Sequence, residues 1–285
     1  MSEKGIKRKP DWLKVDRTPV DAYANLHLAL SRKNLHTICE SGMCPNKAEC
    51  WTQGTATFMI LGDICTRNCK FCAVNTGKPL SPDVDEPYKI LEVVKLLNLK
   101  HVVLTSVTRD DLPDQGAEHW AKCIKLLKDA NFTVEALVPD FDGDATLIKE
   151  LAMAKPDIFS HNLETVRNLT SHVRTRATYE TSLKTLDIAN SFGMLTKSGI
   201  MVGLGEKFDE VIEVMDDLLK VNCKIITIGQ YLQPSKNNFP VAEYIKPEIF
   251  DEYKNIALKK GFDYVESAPL VRSSYHSEKI LIKKY

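Results

Sequence analysis

From about residue 56 onward, short runs rich in β-branched residues alternate with longer stretches whose apolar residues recur every three or four positions. The short runs predict β-strands and the longer stretches predict amphipathic helices. The predicted strands cover residues 55–61, 101–106, 132–138, 157–162, 196–202 and 224–230. The predicted helices lie near residues 88–97, 116–128, 145–153, 179–191, 208–219 and 247–260.

Six strand–helix units without hairpin signals between them indicate a parallel sheet with helical crossovers. Such a sheet could close most of a barrel or lie open as a doubly wound sheet. Polar residues end several predicted strands: Thr105, Ser106, Glu135, His161, Asn162 and Gln230. In a β/α barrel the carboxyl ends of the strands form the active-site face. We therefore favour an α/β fold built as a partial (β/α)6 barrel.

The two ends of the chain do not follow this repeat. We assign residues 1–54 to an N-terminal extension with a helix around residues 20–31, residues 55–262 to the barrel, and residues 263–285 to a C-terminal extension. The C-terminal extension contains the polar run Arg272-Ser273-Ser274-Tyr275 in an otherwise apolar segment. The 285 residues of the chain are enough for one barrel of roughly 200–250 residues with both extensions.

Composition and charge narrow the class of protein. The 38 basic and 38 acidic residues cancel, so charge gives no argument for a nucleic-acid or membrane partner, and neither is predicted. Residues 1–10 carry five charged residues and no apolar core, which is not typical of a secretory signal. We therefore expect a cytoplasmic protein, in which clustered cysteines indicate metal ligands rather than disulfides.

Six of the eight cysteines fall within 34 residues. Three of them form the pattern Cys65-x3-Cys69-x2-Cys72, directly after the first predicted strand. Three such thiolates can hold three irons of a [4Fe–4S] cluster and leave the fourth iron without a protein ligand. A zinc site or a ferredoxin-like electron carrier is the alternative, but each uses four ligands. The next cysteine downstream, Cys123, is 51 residues away, so no fourth ligand lies near in sequence. Cys123 and Cys223 stand alone and predict buried apolar positions.

A three-cysteine loop after the first strand of an incomplete barrel resembles the radical S-adenosylmethionine (SAM) enzymes. The resemblance implies that the open iron binds the amino and carboxylate groups of SAM, and that the reduced cluster cleaves SAM to a 5′-deoxyadenosyl radical. Phe71 matches the aromatic residue that packs near adenine in such enzymes. Further candidates for SAM contacts are Thr105, Ser106, Arg109, Glu135, Asn162 and Arg174. The arginines could instead form surface salt bridges, and a polar residue that ends a strand could cap the next helix.

A second triplet, Cys39-x4-Cys44-x5-Cys50, lies before the first along the chain. A small zinc knuckle that uses His36 is one interpretation. The triplet nevertheless resembles that of lipoyl synthase, and the similarity extends roughly from Cys39 to His276. The matching segments are Cys39-Glu40-Ser41, Cys44-Pro45-Asn46, Thr105-Ser106-Val107, Arg109-Asp110-Asp111-Leu112, His161-Asn162-Leu163-Glu164-Thr165-Val166, Lys197-Ser198-Gly199, Gly229-Gln230-Tyr231-Leu232 and Arg272-Ser273-Ser274-Tyr275.

In that family the second triplet holds an auxiliary [4Fe–4S] cluster, and the serine before the tyrosine of the RSSY signature is its fourth ligand. The resemblance therefore assigns Cys39, Cys44, Cys50 and Ser274 to the auxiliary cluster. One departure is visible, because Gln115-Gly116 stands where the family usually has a Gly-Gly pair. Since glycine tolerates a positive φ more readily than glutamine, the departure bears on the geometry of that loop.

The resemblance also implies a reaction. Two sulfur atoms, taken from the auxiliary cluster, are inserted at C6 and C8 of an octanoyl chain attached to a lysine of a lipoyl-carrier domain. The carriers are the acyltransferase subunits of 2-oxoacid dehydrogenases and the glycine cleavage H protein, and a reductant such as ferredoxin or flavodoxin is expected. Both carbons bear unactivated C–H bonds, so a cofactor-derived radical carries the chemistry and no catalytic residue beyond the cluster ligands is assigned.

Two other classes of function remain open at this point. A sulfur-inserting radical SAM enzyme that resembles biotin synthase would share the first triplet, but it lacks the pairing of the second triplet with the RSSY signature. A metal-binding or electron-transfer module without catalytic activity would need neither six strand–helix units nor an open iron site.

Overall fold

The structure is a computed structural model that describes residues 8–14, 24–52 and 55–282. Residues 1–7, most of the stretch on which the expectation about a secretory signal rests, lie outside these ranges. Residues 20–23 of the predicted N-terminal helix also lie outside them. Among the described residues the strands are β1 (His36–Thr37), β2 (Thr57–Ile60), β3 (Ile64–Cys65), β4 (Asn75–Thr76), β5 (His101–Ser106), β6 (Thr133–Leu137), β7 (Ile158–Ser160), β8 (Thr196–Val202), β9 (Ile225–Gln230) and β10 (Tyr264–Ser267). The α-helices are α1 (Ala24–Lys33), α2 (Ile38–Ser41), α3 (Lys47–Thr52), α4 (Glu86–Leu96), α5 (Ala117–Asp129), α6 (Ala145–Met153), α7 (Arg167–Val173), α8 (Tyr179–Ser191), α9 (Phe208–Lys220), α10 (Pro247–Lys260) and α11 (Glu278–Ile282).

The eight-stranded sheet has the order β1-β2-β5-β6-β7-β8-β9-β10, and β3 pairs with β4 separately. From β2 to β10 each neighbouring pair is parallel, as helical crossovers require. At the edge, β1 runs antiparallel to β2. Within the described ranges no strand pairing joins β1 to β10. The predicted α/β partial barrel is therefore confirmed, with all six predicted strands and all six predicted helices present.

Strands β1 and β10 and helix α7 were not predicted from the sequence. β10 pairs with β9 in parallel register, from Tyr264 with Ile225 to Ser267 with Ile228, although it lies in the segment assigned to the C-terminal extension. It was missed because it is four residues long and includes a glutamate, which weakens a strand signal. The edge strand β1 and the helix α7 are also too short for a clear hydrophobic period.

The two faces of the sheet have different roles. The outer face packs against the helices in two hydrophobic clusters, of which Trp120 of α5 and Met215 of α9 are fully buried members. The inner face, on which Glu135, Lys197 and Thr227 lie, surrounds the interior of the barrel. Apolar burial against the helices therefore leaves the interior free for polar groups.

Residues 268–282, called the tail here, follow β10. In its last helix, α11, Ile280 packs against Ile158, Ile225 and Tyr264, which are the first residues of β7, β9 and β10. The tail thus covers the amino-terminal end of the barrel. No helix in the described part of the chain combines the length and the apolar character needed to cross a bilayer.

Candidate active site

The loop that follows β2 carries the first triplet, Cys65, Cys69 and Cys72. The short pair of β3 and β4 closes this loop at its base, with Cys65 opposite Thr76. Burial raises the pKa of Cys72 to about 11, and the nearby Cys69 and Cys65 add to the shift. The three thiols therefore lie close enough to influence one another.

Backbone amides point at the sulfur atoms of this loop. The N–H groups of Arg67 and Thr108 donate to Sγ of Cys65 over 3.4 Å and 3.3 Å. The N–H of Val74 donates to Sγ of Cys72 over 3.5 Å. Hydrogen bonds to ligand sulfurs are a recurring feature of iron–sulfur sites and tune their potential.

Arg67 fastens the loop to the ends of the neighbouring strands. Its Nε and Nη2 atoms donate to the two carboxylate oxygens of Asp110 over 2.9 Å and 2.8 Å. Its Nη1 atom donates to Oδ1 of Asp140 over 2.8 Å. Arg67 is 8% exposed and Asp140 is 1% exposed, so the planar guanidinium holds the two carboxylates in a fixed geometry. The sequence analysis did not select this arginine.

The second triplet lies on two short helices beside β2. Cys39 belongs to α2 and Cys50 to α3, and the backbone N–H of Cys44 between them donates to the carbonyl of Cys39 over 3.1 Å. Burial raises the pKa of Cys50 to about 12, with further contributions from Cys44 and Cys39. The second triplet is therefore also a group of mutually close thiols.

Two hydrogen bonds bring the tail to the second triplet. The side-chain amide of Asn46 donates to the carbonyl oxygen of Leu270 over 2.7 Å. The hydroxyl of Tyr275 donates to Oε1 of Glu49 over 3.0 Å. Residues 271–274 are thereby held next to the helices that carry the second triplet.

The two adjacent serines of the tail differ in their contacts. Ser273 Oγ accepts a hydrogen bond of 2.6 Å from the side-chain amide of Asn162. The hydroxyl of Ser274 makes no hydrogen bond to any residue that the structure describes, and Ser274 lines the large cavity of the barrel. Ser274, unlike Ser273, is thus free to bind a group in the cavity.

That cavity has a volume of about 780 Å³. Its lining includes Cys39 and Cys44 of the second triplet, Phe71 and Cys72 of the first, and Ser273 and Ser274 of the tail. Gly229 on β9 allows the tail to pass, because a Cβ atom there would lie 2.1 Å from the carbonyl oxygen of Val271. Residues from both triplets therefore face one chamber of the size of a small-molecule site.

The comparisons with known proteins agree with this geometry. Residues 59–218 match the model of the radical SAM superfamily. A lipoyl synthase of Treponema denticola is 56% identical over 96% of this chain and 95% of its own length. A lipoyl synthase of Phocaeicola vulgatus is 57% identical over 95% of this chain and 96% of its own length.

The chain belongs to the lipoyl synthase family. This assignment excludes the biotin-synthase-like enzyme and the module without catalytic activity that the sequence left open. Solved structures show the same fold at low identity. Methylornithine synthase has a TM-score of 0.57 at 13% identity, over 73% of this chain and 69% of its own. SuiB of Streptococcus suis bound to S-adenosylmethionine has a TM-score of 0.60 at 10% identity, over 79% of this chain and 55% of its own.

Membership of the radical SAM superfamily implies one [4Fe–4S] cluster and SAM as cofactors. The first triplet fits that cluster, because it provides three soft thiolate donors and backbone amides directed at two of the sulfur atoms. Among the residues described, no three His, Cys, Asp or Glu side chains lie close enough to share one metal ion. The ligands of a four-iron cube stand farther apart than those of one ion, since each binds a different iron.

The residues predicted to contact SAM in this lipoyl synthase family member fall into two groups. Phe71 and Asn162 line the cavity. Arg174 lies beside it, where its Nη1 atom donates to the hydroxyl of Ser182 over 2.7 Å and lies 3.5 Å from the carbonyl of Leu163. These three residues remain candidates for the site.

The other four predicted residues are engaged within the fold. Thr105 donates to the carbonyl of Leu137, and Ser106 accepts from the indole of Trp120. Arg109 is 1% exposed, and its guanidinium binds Asp111 and the carbonyl of Leu61. None of these three residues is in the lining of the cavity, and their contact with SAM stays a prediction.

Glu135 is also absent from the lining of the cavity. It is the third of five residues in β6 rather than the last, and its carboxylate is 0% exposed and paired with Lys197. The sequence shows that a polar residue belongs to a strand, but it does not show how deep in the barrel the side chain lies.

Glu164 is a charged lining residue that the sequence analysis did not select as a site residue. Glu164 lies four residues after the end of β7, adopts a left-handed backbone with φ of +69°, and lines the cavity. Burial raises the pKa of its carboxyl group, although Arg174 opposes the shift. A left-handed backbone at a non-glycine residue marks strain that often occurs at functional sites. The polar run after β7 was visible in the sequence, but its backbone conformation was not.

Proposed function

We propose that this chain inserts two sulfur atoms at C6 and C8 of an octanoyl group carried on a protein lysine, and so forms the lipoyl group. The observation that carries the proposal is the cavity of about 780 Å³ whose lining includes Cys39 and Cys44 of the second triplet, Cys72 of the first, and Ser274. A reaction that uses one cluster to make a radical and another to donate sulfur needs both clusters to face the same substrate carbon.

In this proposal Cys65, Cys69 and Cys72 hold the first cluster and leave one iron open for SAM. When bound, this cluster and SAM supply the carbon radical that removes hydrogen from C6 and C8. Phe71 and Asn162 line the cavity, where the ring of Phe71 would pack against bound SAM and the side-chain carbonyl of Asn162 would accept a hydrogen bond from it, since the amide of Asn162 is bonded to Ser273. The protein residues position the reacting groups and exclude water, and no side chain acts as a general base.

Cys39, Cys44, Cys50 and Ser274 hold the auxiliary cluster that provides the sulfur. Their arrangement fits such a cluster, since Cys39, Cys44 and the unpartnered hydroxyl of Ser274 line the same cavity, and Cys50 lies close enough to the other two thiols for them to raise its pKa. A serine oxygen is a harder ligand than thiolate and is a poorer partner for iron. The Ser274 corner can therefore be released when the cluster gives up sulfur.

The cavity also fits an acyl chain. Its lining includes the apolar side chains of Ile38, Met43, Ile200, Met201 and Tyr231, which favour a hydrocarbon over water. The partners are octanoylated carriers, namely the acyltransferase subunits of 2-oxoacid dehydrogenases and the glycine cleavage H protein, with ferredoxin or flavodoxin as reductant. We place the reaction in the cytoplasm, where the eight free cysteines stay reduced.

The test combines metal analysis with product analysis. Anaerobically reconstituted protein should contain about eight irons per chain, as two cubes require. With SAM, a reductant and an octanoyl-lysine peptide, it should release 5′-deoxyadenosine and form the dithiolated peptide, detected by mass spectrometry. If the auxiliary cluster is reconstituted with ³⁴S sulfide, the label should appear in the product. About four irons per chain, or an unlabelled dithiolated product, would contradict the proposal.

A further inference from the structure

A buried polar network joins the tail to the interior of the barrel. Glu135 of β6 and Lys197 of β8 are 0% and 1% exposed and form an ion pair of 2.9 Å. Ser160 donates to Oε1 of Glu135 over 2.8 Å. Ser277 of the tail, which is 0% exposed, donates to Oε2 of the same carboxylate. The tail therefore supplies one of the donors that satisfy a buried charge.

His101 fixes the other side of Ser277. Its Nε2 atom lies 2.7 Å from Ser277 Oγ, and its Nδ1 atom lies 2.9 Å from the hydroxyl of Thr133. A serine has one hydroxyl proton, and Ser277 gives it to Glu135. The hydrogen bond from His101 must then be donated by Nε2–H to Ser277 Oγ, so both bonds of Ser277 have a defined direction.

Ser277 lies three residues after Ser274, and its backbone N–H donates to the carbonyl of Ser274 over 3.4 Å. At the other side of Ser274, the hydroxyl of Ser273 is bonded to Asn162. The short segment 273–277 is thus held at both ends inside the barrel. Its central hydroxyl, that of Ser274, is the one that faces the cavity without a partner among the described residues.

We propose that Ser277 is a positioning residue, which holds Ser274 toward Cys39, Cys44 and Cys50 through its hydrogen bonds to Glu135 and His101. This inference rests on the proposed function, since it takes Ser274 as a ligand of the auxiliary cluster. The tail has further side-chain anchors, among them Ser273 with Asn162, Asn46 with Leu270 and Tyr275 with Glu49. These three bonds are partly or fully exposed to water, whereas the bonds of Ser277 are buried, so water does not compete for them.

The test isolates the auxiliary cluster. Cys65, Cys69 and Cys72 are all changed to Ala, so that reconstituted protein carries the auxiliary cluster alone, and loss of iron to a chelator is timed. In this background Ser277→Ala removes the buried hydrogen bonds to Glu135 and His101, and should speed iron loss by on the order of five- to tenfold or more. Ser267→Ala is the matched control. Ser267 is the last residue of β10, just before the tail, and it is also buried and donates a hydrogen bond of 2.8 Å to the carbonyl of Phe250. This control variant should leave the rate unchanged.

A double-mutant cycle distinguishes positioning from general destabilisation. If Ser277 acts through Ser274, adding Ser277→Ala to Ser274→Ala should change the rate of iron loss little beyond the effect of Ser274→Ala. The electron paramagnetic resonance spectrum of the reduced cluster should change in the same way in both single variants. Additive effects, or equal effects of Ser277→Ala and Ser267→Ala, would overturn the inference. Absence of about four irons per chain in the background variant would instead overturn the proposed auxiliary cluster.

Discussion

The side-chain amide of Asn46 donates a hydrogen bond of 2.7 Å to the carbonyl oxygen of Leu270, across 224 positions of sequence. Asn46 lies between Cys44 and Cys50, and Leu270 lies four residues before Ser274. This bond therefore brings together the cysteines and the hydroxyl that the proposed auxiliary cluster requires. It also explains how opposite ends of the chain can provide ligands to one cluster.

The first prediction concerns the identity of the serine ligand. Ser274→Cys should retain the auxiliary cluster but slow sulfur transfer, because thiolate binds iron more firmly than a serine oxygen. Ser274→Ala should lose iron from that cluster. Ser273→Ala is the control, since it removes only the bond to Asn162 and should retain the iron. Single-turnover formation of the dithiolated peptide and iron content are the measurements, and a Ser274→Cys variant with an unchanged rate would contradict the assignment.

The second prediction separates radical formation from sulfur insertion. The triple change of Cys65, Cys69 and Cys72 to Ala should abolish 5′-deoxyadenosine, because no open iron remains to bind SAM. The triple change of Cys39, Cys44 and Cys50 to Ala should leave 5′-deoxyadenosine formation intact and abolish sulfur transfer. The measurement is the amount of 5′-deoxyadenosine and of dithiolated peptide that each variant forms, determined by liquid chromatography. Undiminished 5′-deoxyadenosine in the first variant would refute the roles given to the two triplets.

The third prediction concerns Arg67. Lysine is a point charge and cannot reproduce the planar fork that binds Asp110 and Asp140, so Arg67→Lys leaves a buried carboxylate poorly paired. We expect a loss of about 3 kcal/mol in the free energy of unfolding and a lower iron content of the first cluster. Denaturant unfolding measures the free energy of unfolding. Iron analysis in a variant with Cys39, Cys44 and Cys50 changed to Ala measures the iron of the first cluster alone.

The matched control for Arg67 is Arg167→Lys. Arg167 also pairs with several carboxylates, those of Glu180, Glu213 and Asp217, but its side chain is 42% exposed. Exposed ion pairs contribute little, so its replacement should change neither quantity appreciably. Equal losses in the two variants would show that burial of the Arg67 network is not what holds the loop.

The fourth prediction concerns pH. Burial, together with the nearby cation of Arg174, lowers the pKa of His161 to about 4. Unfolding lets this imidazole return to its ordinary pKa near 6.5 and bind a proton, so stability falls as the pH drops from about 6.5 toward 4. Between pH 6 and pH 5 the free energy of unfolding should fall by about 1 kcal/mol per pH unit from this group alone.

His161→Gln should remove that part of the slope, whereas His172→Gln, at an exposed position of α7, should retain it. Denaturant unfolding at a series of pH values gives the slopes for the two variants and the parent. If the parent and His161→Gln have the same slope, His161 does not titrate as its burial indicates.

The fifth prediction concerns the departure from the family's Gly-Gly pair. Gln115 has a φ of +51°, so it adopts a left-handed backbone that glycine accepts more readily than glutamine. Its Oε1 atom is buried without a partner among the described residues. Gln115→Gly should stabilise the fold by about 1 kcal/mol, read as a rise in the denaturant midpoint. Asn98→Gly is the control, since asparagine tolerates the same φ of +51° and should gain less.

The sequence predicted the parts of this protein that depend on short-range pattern. Periodicity placed the six central strands, and spacing selected both triplets before any contact was known. Depth inside the barrel was not accessible, because Glu135 and Asn162 both look like polar strand residues while only Asn162 lines the cavity. Long-range pairs such as Arg67 with Asp140 could not be predicted either, since no local period relates residues 73 positions apart.

The buried position of Ser277 has a consequence for how the protein folds. Its partners His101 and Glu135 lie 176 and 142 residues away, whereas Arg67 and Asp110, which fasten the first loop, are 43 residues apart. Closing longer loops costs more chain entropy and tends to occur later in folding. We therefore expect the two cluster sites to mature in order during refolding. The first becomes competent for metal once the early strands have assembled, and the second only after the tail has docked.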